Sequence, residues 1–347
     1  MTRGGLVESV HAVAACAAGA ADGDVRLAVG DVDVPLFLRS SAKPFIAAAI
    51  VAGGAADRFG FDQRELAIIT ASHNGEPEHV ECVRGILRKI GRTEADLLCG
   101  AHAPYEPAAA ELLKRGEVPT AIHNNCSGKH SGILALCAML GADHATYLEA
   151  SNPAQQRILA FCARMTGDDP QTWPIGVDGC GIPVFATSLR RAARAFARLA
   201  TLDGIADDDA RALERVRAAM QAEPFYVAGT GRFDTALMEA TQGAVVAKGG
   251  AEGFQGAASL PLGAGLVVKV VDGSRRASCP ATMALLERLG ALDATASAAL
   301  ASFARTPVRN VAGRLVGEIE VLPVAGGDTN TRGQASLVES PRGSTAR

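Results

Sequence analysis

Segments rich in Val and Leu lie near both ends of the chain, and helical patterns fill the part between them. Residues 6–15 and 25–38 flank a turn-forming stretch that contains Ala-Asp-Gly-Asp, which predicts an opening β-hairpin. Strand patterns return beyond residue 243, at Ala244–Lys248, Ala257–Pro261, Gly265–Val271 and Arg314–Val324. We therefore expect an α+β fold in which one antiparallel sheet is assembled from both termini around a helical middle region.

The helical middle region begins at Ser40, because Pro44 is tolerated in the first turn of a helix and Ala and Ile follow it. Further helices are predicted at 62–69, 76–90, 106–115, 130–141, 151–166, 186–200, 207–221 and 280–290. We find no repeat and no linker between two domains. The pattern predicts a single domain over residues 1–324 and a disordered Gly-, Thr-, Ser- and Arg-rich tail over residues 325–347.

Composition then narrows the class of protein. Hydrophobic residues make up 48% and charged residues 20% of the chain, which is too apolar for a disordered protein. The net charge of -3 provides no basic field for nucleic acid, and no apolar run is long enough for a membrane span. We see no secretory signal, and eight cysteines are too sparse for a disulfide scaffold. We expect a cytoplasmic protein with reduced thiols that binds neither nucleic acid nor membranes.

The basic residues are divided unevenly between the two types. Of the 34 Lys and Arg residues, only six are Lys, namely Lys43, Lys89, Lys114, Lys129, Lys248 and Lys269. A chain that supplies positive charge with Arg has a use for Lys where an amine must lose its proton, which a guanidinium cannot do.

Three short motifs contain serines and lysines in a recognisable order along the chain. Residues 40–43 read S-S-A-K at a predicted helix start, where the first and fourth side chains share one face. A partly buried lysine can take the proton of a serine hydroxyl and make it a nucleophile. Residues 72–74 read S-H-N and residues 248–250 read K-G-G. The order S-x-x-K, S-x-N, K-x-G is that of serine β-lactamases and penicillin-binding proteins, although Gly249 lacks the hydroxyl usual in the third motif.

Two glycine-rich segments carry cysteines. Residues 124–132 read N-N-C-S-G-K-H-S-G, and residues 176–183 read G-V-D-G-C-G-I-P. Two turns of this kind can bring Cys126 and Cys180 together as thiolate ligands of Zn²⁺. The other six cysteines are interpreted as buried inert thiols.

These five segments together resemble the L-asparaginase II family of the Rhizobium etli type, over about residues 6 to 323. The matching stretches read SSAKPF at 40–45, ASHNGE at 71–76, NNCSGKHSG at 124–132, GVDGCGIP at 176–183 and AKGGAEG at 247–253.

The resemblance implies a fold similar to serine β-lactamases and glutaminases, a homodimer, and hydrolysis of L-asparagine to L-aspartate and ammonia. It implies two Ser–Lys pairs, a zinc ion beside the active site, and a pocket that holds the substrate. The implied residues are Ser40 with Lys43 and Ser72 with Lys248 as catalytic pairs; Cys126, Lys129 and Cys180 around zinc; and Arg39, Asn74, His130 and Asp178 for the substrate, with Arg39 and Asp178 at its α-carboxylate and α-amino groups.

On this basis Ser40 attacks the side-chain amide with neutral Lys43 as base, and Ser72, polarised by Lys248, passes a proton to the leaving ammonia. The sequence does not decide between Ser40 and Ser72 as nucleophile, although the S-x-x-K spacing favours Ser40. A glutaminase and a β-lactam-recognising serine hydrolase are the alternatives within the hydrolases. A zinc-holding binding protein and a redox role for Cys126 and Cys180 are the alternatives outside them.

Overall fold

The computed structural model describes residues 1–105 and 108–322. The predicted tail over 325–347 therefore lies outside the described residues, as do the first two residues of the helix predicted at 106–115. The strands are β1 Thr2–Arg3, β2 Leu6–Val7, β3 Val13–Ala18, β4 Val25–Val29, β5 Leu36–Phe37, β6 Ile175–Val177, β7 Pro183–Thr187, β8 Val245–Gly249, β9 Phe254–Ser259, β10 Ala264–Val270, β11 Thr306–Arg309 and β12 Leu315–Ile319.

Helices fill the chain between β5 and β8, apart from the short strands β6 and β7, and they return after β10. They are α1 Lys43–Ala52, α2 Ala55–Phe59, α3 Gln63–Ile69, α4 Pro77–Lys89, α5 Ala108–Lys114, α6 Ser127–Leu140, α7 Pro153–Thr166, α8 Leu189–Thr201, α9 Asp207–Ala222, α10 Pro224–Val227, α11 Phe233–Ala240, α12 Ser278–Arg288, α13 Ala294–Ala299 and α14 Ala301–Ala304.

The largest sheet has five antiparallel strands in the order β4-β3-β10-β9-β8. The opening hairpin supplies β3 and β4, and the last third of the chain supplies the other three strands. This confirms the prediction of an α+β fold whose sheet comes from both ends of the chain around a helical middle region, the organisation expected of a serine β-lactamase-like fold.

The strand predicted at Arg314–Val324 does not join this sheet, and that part of the prediction is wrong. β12 pairs with β11 in a separate two-stranded sheet. The turn between them is closed by the amide of Asn310, which donates to the carbonyl of Arg314 at 3.0 Å. A tight turn favours pairing with the strand that is adjacent in sequence over pairing with a distant sheet.

A second difference lies within the helical middle region, where β5, β7 and β6 form a three-stranded sheet. The helix predicted at 186–200 therefore begins only at Leu189, and Ser188 caps it by accepting a hydrogen bond from the amide of Arg191 at 3.2 Å. These strands are too short for the alternation of polar and apolar residues to reveal them.

Helices pack on both faces of the main sheet. α8 lies on one face, where a Cβ atom at Gly265 would stand 1.9 Å from the carbonyl oxygen of Ala193. Only glycine allows so close an approach of helix to strand. Leu237 and Leu286, on α11 and α12, pack against the opposite face. Among the described helices, none combines the length and the apolar character that crossing a membrane requires.

Candidate active site

The S-x-x-K motif lies at the point where a 3₁₀ turn, Arg39–Ala42, leads into α1. Arg39 has a positive φ of 53°, which is a strained conformation for a residue other than glycine. The hydroxyl of Ser41 donates to the carbonyl of Lys248 at 2.8 Å and so ties this turn to the end of β8. A Cβ atom at Gly250 would lie 2.8 Å from the carbonyl oxygen of Leu38. The second glycine of K-G-G therefore allows β8 to approach the turn.

Ser72 lies between two buried amines. It follows α3, and its backbone amide donates to the carbonyl of Val227 at 3.1 Å. Its Oγ is 3.0 Å from Nζ of Lys43 and 3.1 Å from Nζ of Lys248. Lys43 and Lys248 also donate to the backbone carbonyls of Ala71 and Gly249, at 2.5 and 2.7 Å. The structure thus brings the expected Ser72–Lys248 pair into hydrogen-bond contact and adds Lys43 to it.

Ser40 occupies a different position from the one expected of a hydrogen-bonded pair. It is half-buried and lines a small cavity together with Arg39, Lys43, Lys129 and Asp178. Within residues 1–105 and 108–322, no hydrogen bond joins its hydroxyl to Lys43. Lys43 points its amine at Ser72 instead, because the carbonyl of Ala71 holds it there.

Burial lowers the pKa of Lys248 to about 7, since charge is costly in a site from which water is excluded. The carboxylate of Asp234 opposes this shift from 3.6 Å, whereas the charges of Lys43 and Arg232 add to it. Asp234 is itself buried and accepts hydrogen bonds from the Gly249 amide at 2.8 Å and from the Gln255 side chain at 2.7 Å.

Asp234 was not predicted from the sequence. It lies outside the three short motifs, near the start of α11, and only the packing of α11 against β8 brings it to Lys248.

Cys126, Lys129 and Cys180 meet on the other side of Lys43. Cys126 immediately precedes α6, and Lys129 lies in the first turn of that helix. Cys180 lies in the turn between β6 and β7. Nζ of Lys129 is 2.9 Å from Sγ of Cys180, and Nζ of Lys43 is 3.2 Å from Sγ of Cys126. All three predicted zinc ligands are therefore buried and adjacent.

The charges in this cluster stabilise one another. A hydrogen bond from Cys180, together with the amines of Lys129 and Lys43, holds the pKa of the Cys126 thiol well below its usual range, although burial opposes the shift. Burial also opposes the charge of Lys129, but the sulfur atoms of Cys126 and Cys180 outweigh it and raise the pKa of that amine.

Two sulfur atoms and one amine are a donor set that Zn²⁺ accepts. In the described residues, no group of three or more His, Cys, Asp or Glu side chains is placed to hold a metal, so the site depends on Lys129 as its third donor. The amine would give up its proton on binding, because a divalent cation reverses the local preference for protonated ligands. The three residues fit zinc on these grounds.

Arg39 and Asp178 form an ion pair beside Ser40. Nε and Nη2 of Arg39 donate to the same carboxylate oxygen of Asp178, at 3.1 and 2.9 Å. Burial works against the charge of Asp178, but Lys129 and Arg39 prevail and lower its pKa. A carboxylate and a guanidinium side by side are suited to the ammonium and carboxylate groups of an amino acid.

The other two predicted substrate residues are engaged within the protein. The amide nitrogen of Asn74 donates to Glu76 and to the carbonyl of Thr230, at 2.9 and 3.0 Å. His130 is fully buried with Nδ1 2.7 Å from the hydroxyl of Tyr147, while its Nε2 has no partner among the described residues. Burial lowers the pKa of His130 well below its usual range, so the ring is neutral.

Comparisons with known proteins give the family of the chain. The model of the family described as L-asparaginase II matches residues 1–321. No curated protein matches the chain.

Among solved structures, the chain is similar to Mglu in its native form, with 16% identity and a TM-score of 0.37 over 81% of this chain and 65% of that one. It is also similar to a mutant of simvastatin synthase from Aspergillus terreus, with 13% identity and a TM-score of 0.35 over 74% of this chain and 86% of that one. The chain thus spans less than two thirds of the length of that Mglu structure, and likenesses of this size place no constraint on function.

Proposed function

The chain belongs to the L-asparaginase II family, and we propose that it is an amidohydrolase whose small-molecule substrate is L-asparagine. The products would be L-aspartate and ammonia. The observation that carries the proposal is Ser72, whose hydroxyl lies within 3.1 Å of two buried lysine amines. The Arg39–Asp178 ion pair beside Ser40 supports an amino acid as the substrate.

We assign the attack on the side-chain amide to Ser40. Ser40 is more accessible than Ser72 and lines the cavity that Arg39, Lys43 and Asp178 also line. In this proposal Lys43, which lines the same cavity, takes the proton of the Ser40 hydroxyl as the C–O bond forms. The substrate's α-amino group would lie at Asp178 and its α-carboxylate at Arg39.

Ser72 then carries the proton to the leaving group. Lys43 reaches Ser72 at 3.0 Å, so the proton that it takes from Ser40 can pass to the Ser72 hydroxyl and on to the departing ammonia. Lys248 holds the other side of the same hydroxyl and, with a pKa of about 7, accepts or returns a proton near neutrality. Water, activated by the same amines, hydrolyses the β-aspartyl ester.

Cys126, Lys129 and Cys180 would hold zinc. When bound, the ion supplies a fixed positive charge that orients the substrate. Asn74 and His130 are proposed to shape the same pocket: Asn74 through its hydrogen bond to the carbonyl of Thr230, and His130 through its Nε2, which has no partner among the described residues.

One observation favours Ser72 as the nucleophile, namely its direct hydrogen bonds to both lysines. Trapping the acyl-enzyme with a slow substrate and locating the modified residue by mass spectrometry decides between the two serines.

The test of the proposal is ammonia release from L-asparagine, with and without a chelator. We expect activity in the wild type and a fall of about 10²–10⁴-fold in kcat for both Ser40→Ala and Ser72→Ala. Absence of ammonia release by the folded, zinc-loaded wild type would refute the proposal. Near-normal kcat in Ser40→Ala would instead move the nucleophile to Ser72.

The proposal also includes the choice of amide substrate, the homodimer and the cytoplasmic location. Comparing kcat/KM for L-asparagine, L-glutamine and a β-lactam separates an asparaginase from a glutaminase or a β-lactam-recognising enzyme. Light scattering tests the homodimer, and fractionation of cells tests the cytoplasmic location.

A further inference from the structure

Two arginines lie against one tyrosine next to the site. The guanidinium of Arg232 is 4.8 Å from the centre of the Tyr105 ring, and that of Arg275 is 5.8 Å from it. Stacking on an aromatic ring fixes the plane of a guanidinium and leaves its N–H groups free to bind in that plane.

Arg232 also reaches the segment that carries Ser72. Its Nη1 donates to Oδ1 of Asn74 at 2.9 Å and to the carbonyl of Ser72 at 3.5 Å. The guanidinium of Arg232 therefore contacts the backbone of Ser72, the residue whose hydroxyl the two lysines share.

Neither arginine is neutralised within residues 1–105 and 108–322. No carboxylate in this part of the chain forms an ion pair with Arg232 or Arg275, and the remaining N–H groups of Arg232 have no partner there. Asp234, the nearest acidic residue in sequence to Arg232, is held by Lys248 and Gly249 instead. Arg39, by contrast, already has two of its nitrogen atoms on Asp178.

A guanidinium without a carboxylate partner keeps N–H donors and a positive charge that an anionic ligand can bind. The ligand has to fit beside the reacting amide, and a carboxylate matches the planar fork of a guanidinium. We propose that Arg232, stacked on Tyr105 together with Arg275, is a carboxylate-binding site for the substrate beside Ser72, in addition to Arg39 and Asp178. This inference rests on the proposed amide hydrolysis.

The carboxylate has two sources. It is either the α-carboxylate of L-asparagine, which Arg232 would then share with Arg39, or a carboxylate on the leaving amine, as in a β-aspartyl amino acid. In the second case the amide C–N bond breaks, the leaving nitrogen takes the proton relayed by Ser72, and water completes the release of L-aspartate and a second amino acid.

The experiment compares kcat/KM of wild type and Arg232→Gln on three amides: L-asparagine, 3-aminopropanamide, which is asparagine without its carboxylate, and β-aspartylglycine. We expect a loss of about 10–100-fold on L-asparagine, the size of a lost charge-assisted hydrogen bond, and little change on 3-aminopropanamide. A loss on β-aspartylglycine that exceeds the loss on L-asparagine assigns the carboxylate to the leaving side.

Equal losses on all three amides would overturn the proposal, because Arg232 would then act only by positioning Asn74 and Ser72. Arg232→Lys, which keeps the charge and loses the fork, should give an intermediate loss on L-asparagine and guards against a variant that fails to fold. Arg276→Gln is the matched control, since Arg276 is exposed and bonds to Ser9 and His11 away from the site.

Binding measurements show whether a negative result contradicts the carboxylate site or the proposed function. Calorimetry gives the affinities of L-aspartate and β-alanine, which lacks the α-carboxylate, and of β-aspartylglycine, without requiring turnover. If the wild type hydrolyses none of the amides, the proposed function falls. Loss of L-aspartate or β-aspartylglycine affinity in Arg232→Gln, with β-alanine unchanged, still supports the carboxylate site, and unchanged affinity for all three would refute it.

Discussion

Lys248 and Lys129 are both fully buried in the same site, yet their surroundings shift the pKa values of the two amines in opposite directions. Burial lowers the pKa of Lys248 to about 7, and one carboxylate at 3.6 Å only partly offsets it. Around Lys129 burial acts in the same direction, but two sulfur atoms overcome it and raise the pKa. Burial therefore sets the cost of the charge, and the chemistry of the neighbours decides whether the amine keeps its proton.

Lys43 connects the two regions, because its Nζ lies 3.0 Å from Ser72 and 3.2 Å from Cys126. The region around Lys248 is suited to proton transfer, since its amine changes charge near neutrality. The region around Lys129 is suited to holding a cation or a thiolate. The same residue type is thus suited to two different chemical roles within one site.

The largest effect on kcat is expected from replacing Lys248, the lysine whose amine changes charge near neutrality. Lys248→Arg and Lys248→Ala should both lower kcat by about 10²–10⁴-fold, because a guanidinium keeps its proton and cannot serve as a base. Steady-state kinetics measure the effect, and circular dichroism checks the fold. Lys114→Arg, on an exposed lysine, is the control and should retain full activity. An active Lys248→Arg variant would contradict the assignment of proton transfer to this amine.

A smaller effect is expected from exchanging lysine for arginine at Lys129. Lys129→Arg keeps a positive charge beside Cys126 and Cys180 but removes the lone pair that zinc needs. We expect loss of bound zinc, measured by mass spectrometry of the metal, and a rise in KM of roughly tenfold with a smaller change in kcat. Cys126→Ser should lose zinc in the same way. If Lys129→Arg binds zinc stoichiometrically, Lys129 is not a ligand.

The smallest effect is expected from removing the carboxylate near Lys248. In the wild type kcat/KM should rise as the pH increases through about 7, because Lys248 then becomes a neutral acceptor. Asp234→Asn removes a negative charge that stabilises the protonated amine, so the rise should move to lower pH, on the order of one pH unit. Asp272→Asn, on the surface, should leave the profile unchanged. An unshifted profile in Asp234→Asn would show that another group controls the rise.

Elements with local signals were predictable from the sequence. α7 begins where expected because Asn152 accepts a hydrogen bond from the Ala154 amide at 2.9 Å and Pro153 fits the first turn. β9 begins at Phe254, three residues before the predicted start at Ala257, and α6 begins at Ser127 rather than at residue 130. The three-stranded sheet was missed because its strands have two to five residues and too little periodicity.

The sequence by itself determined the candidates for the site: two serines, three of six lysines and two cysteines in glycine-rich turns. Only the tertiary structure decided that Lys43 pairs with Ser72 rather than Ser40, that Asp234 stands beside Lys248, and that Arg232 reaches the backbone of Ser72. A motif fixes the spacing of residues along one element. The contacts that set charge and hydrogen bonding come from elements that are distant in sequence, and the packing of α11 and β8 around Ser72 provides them.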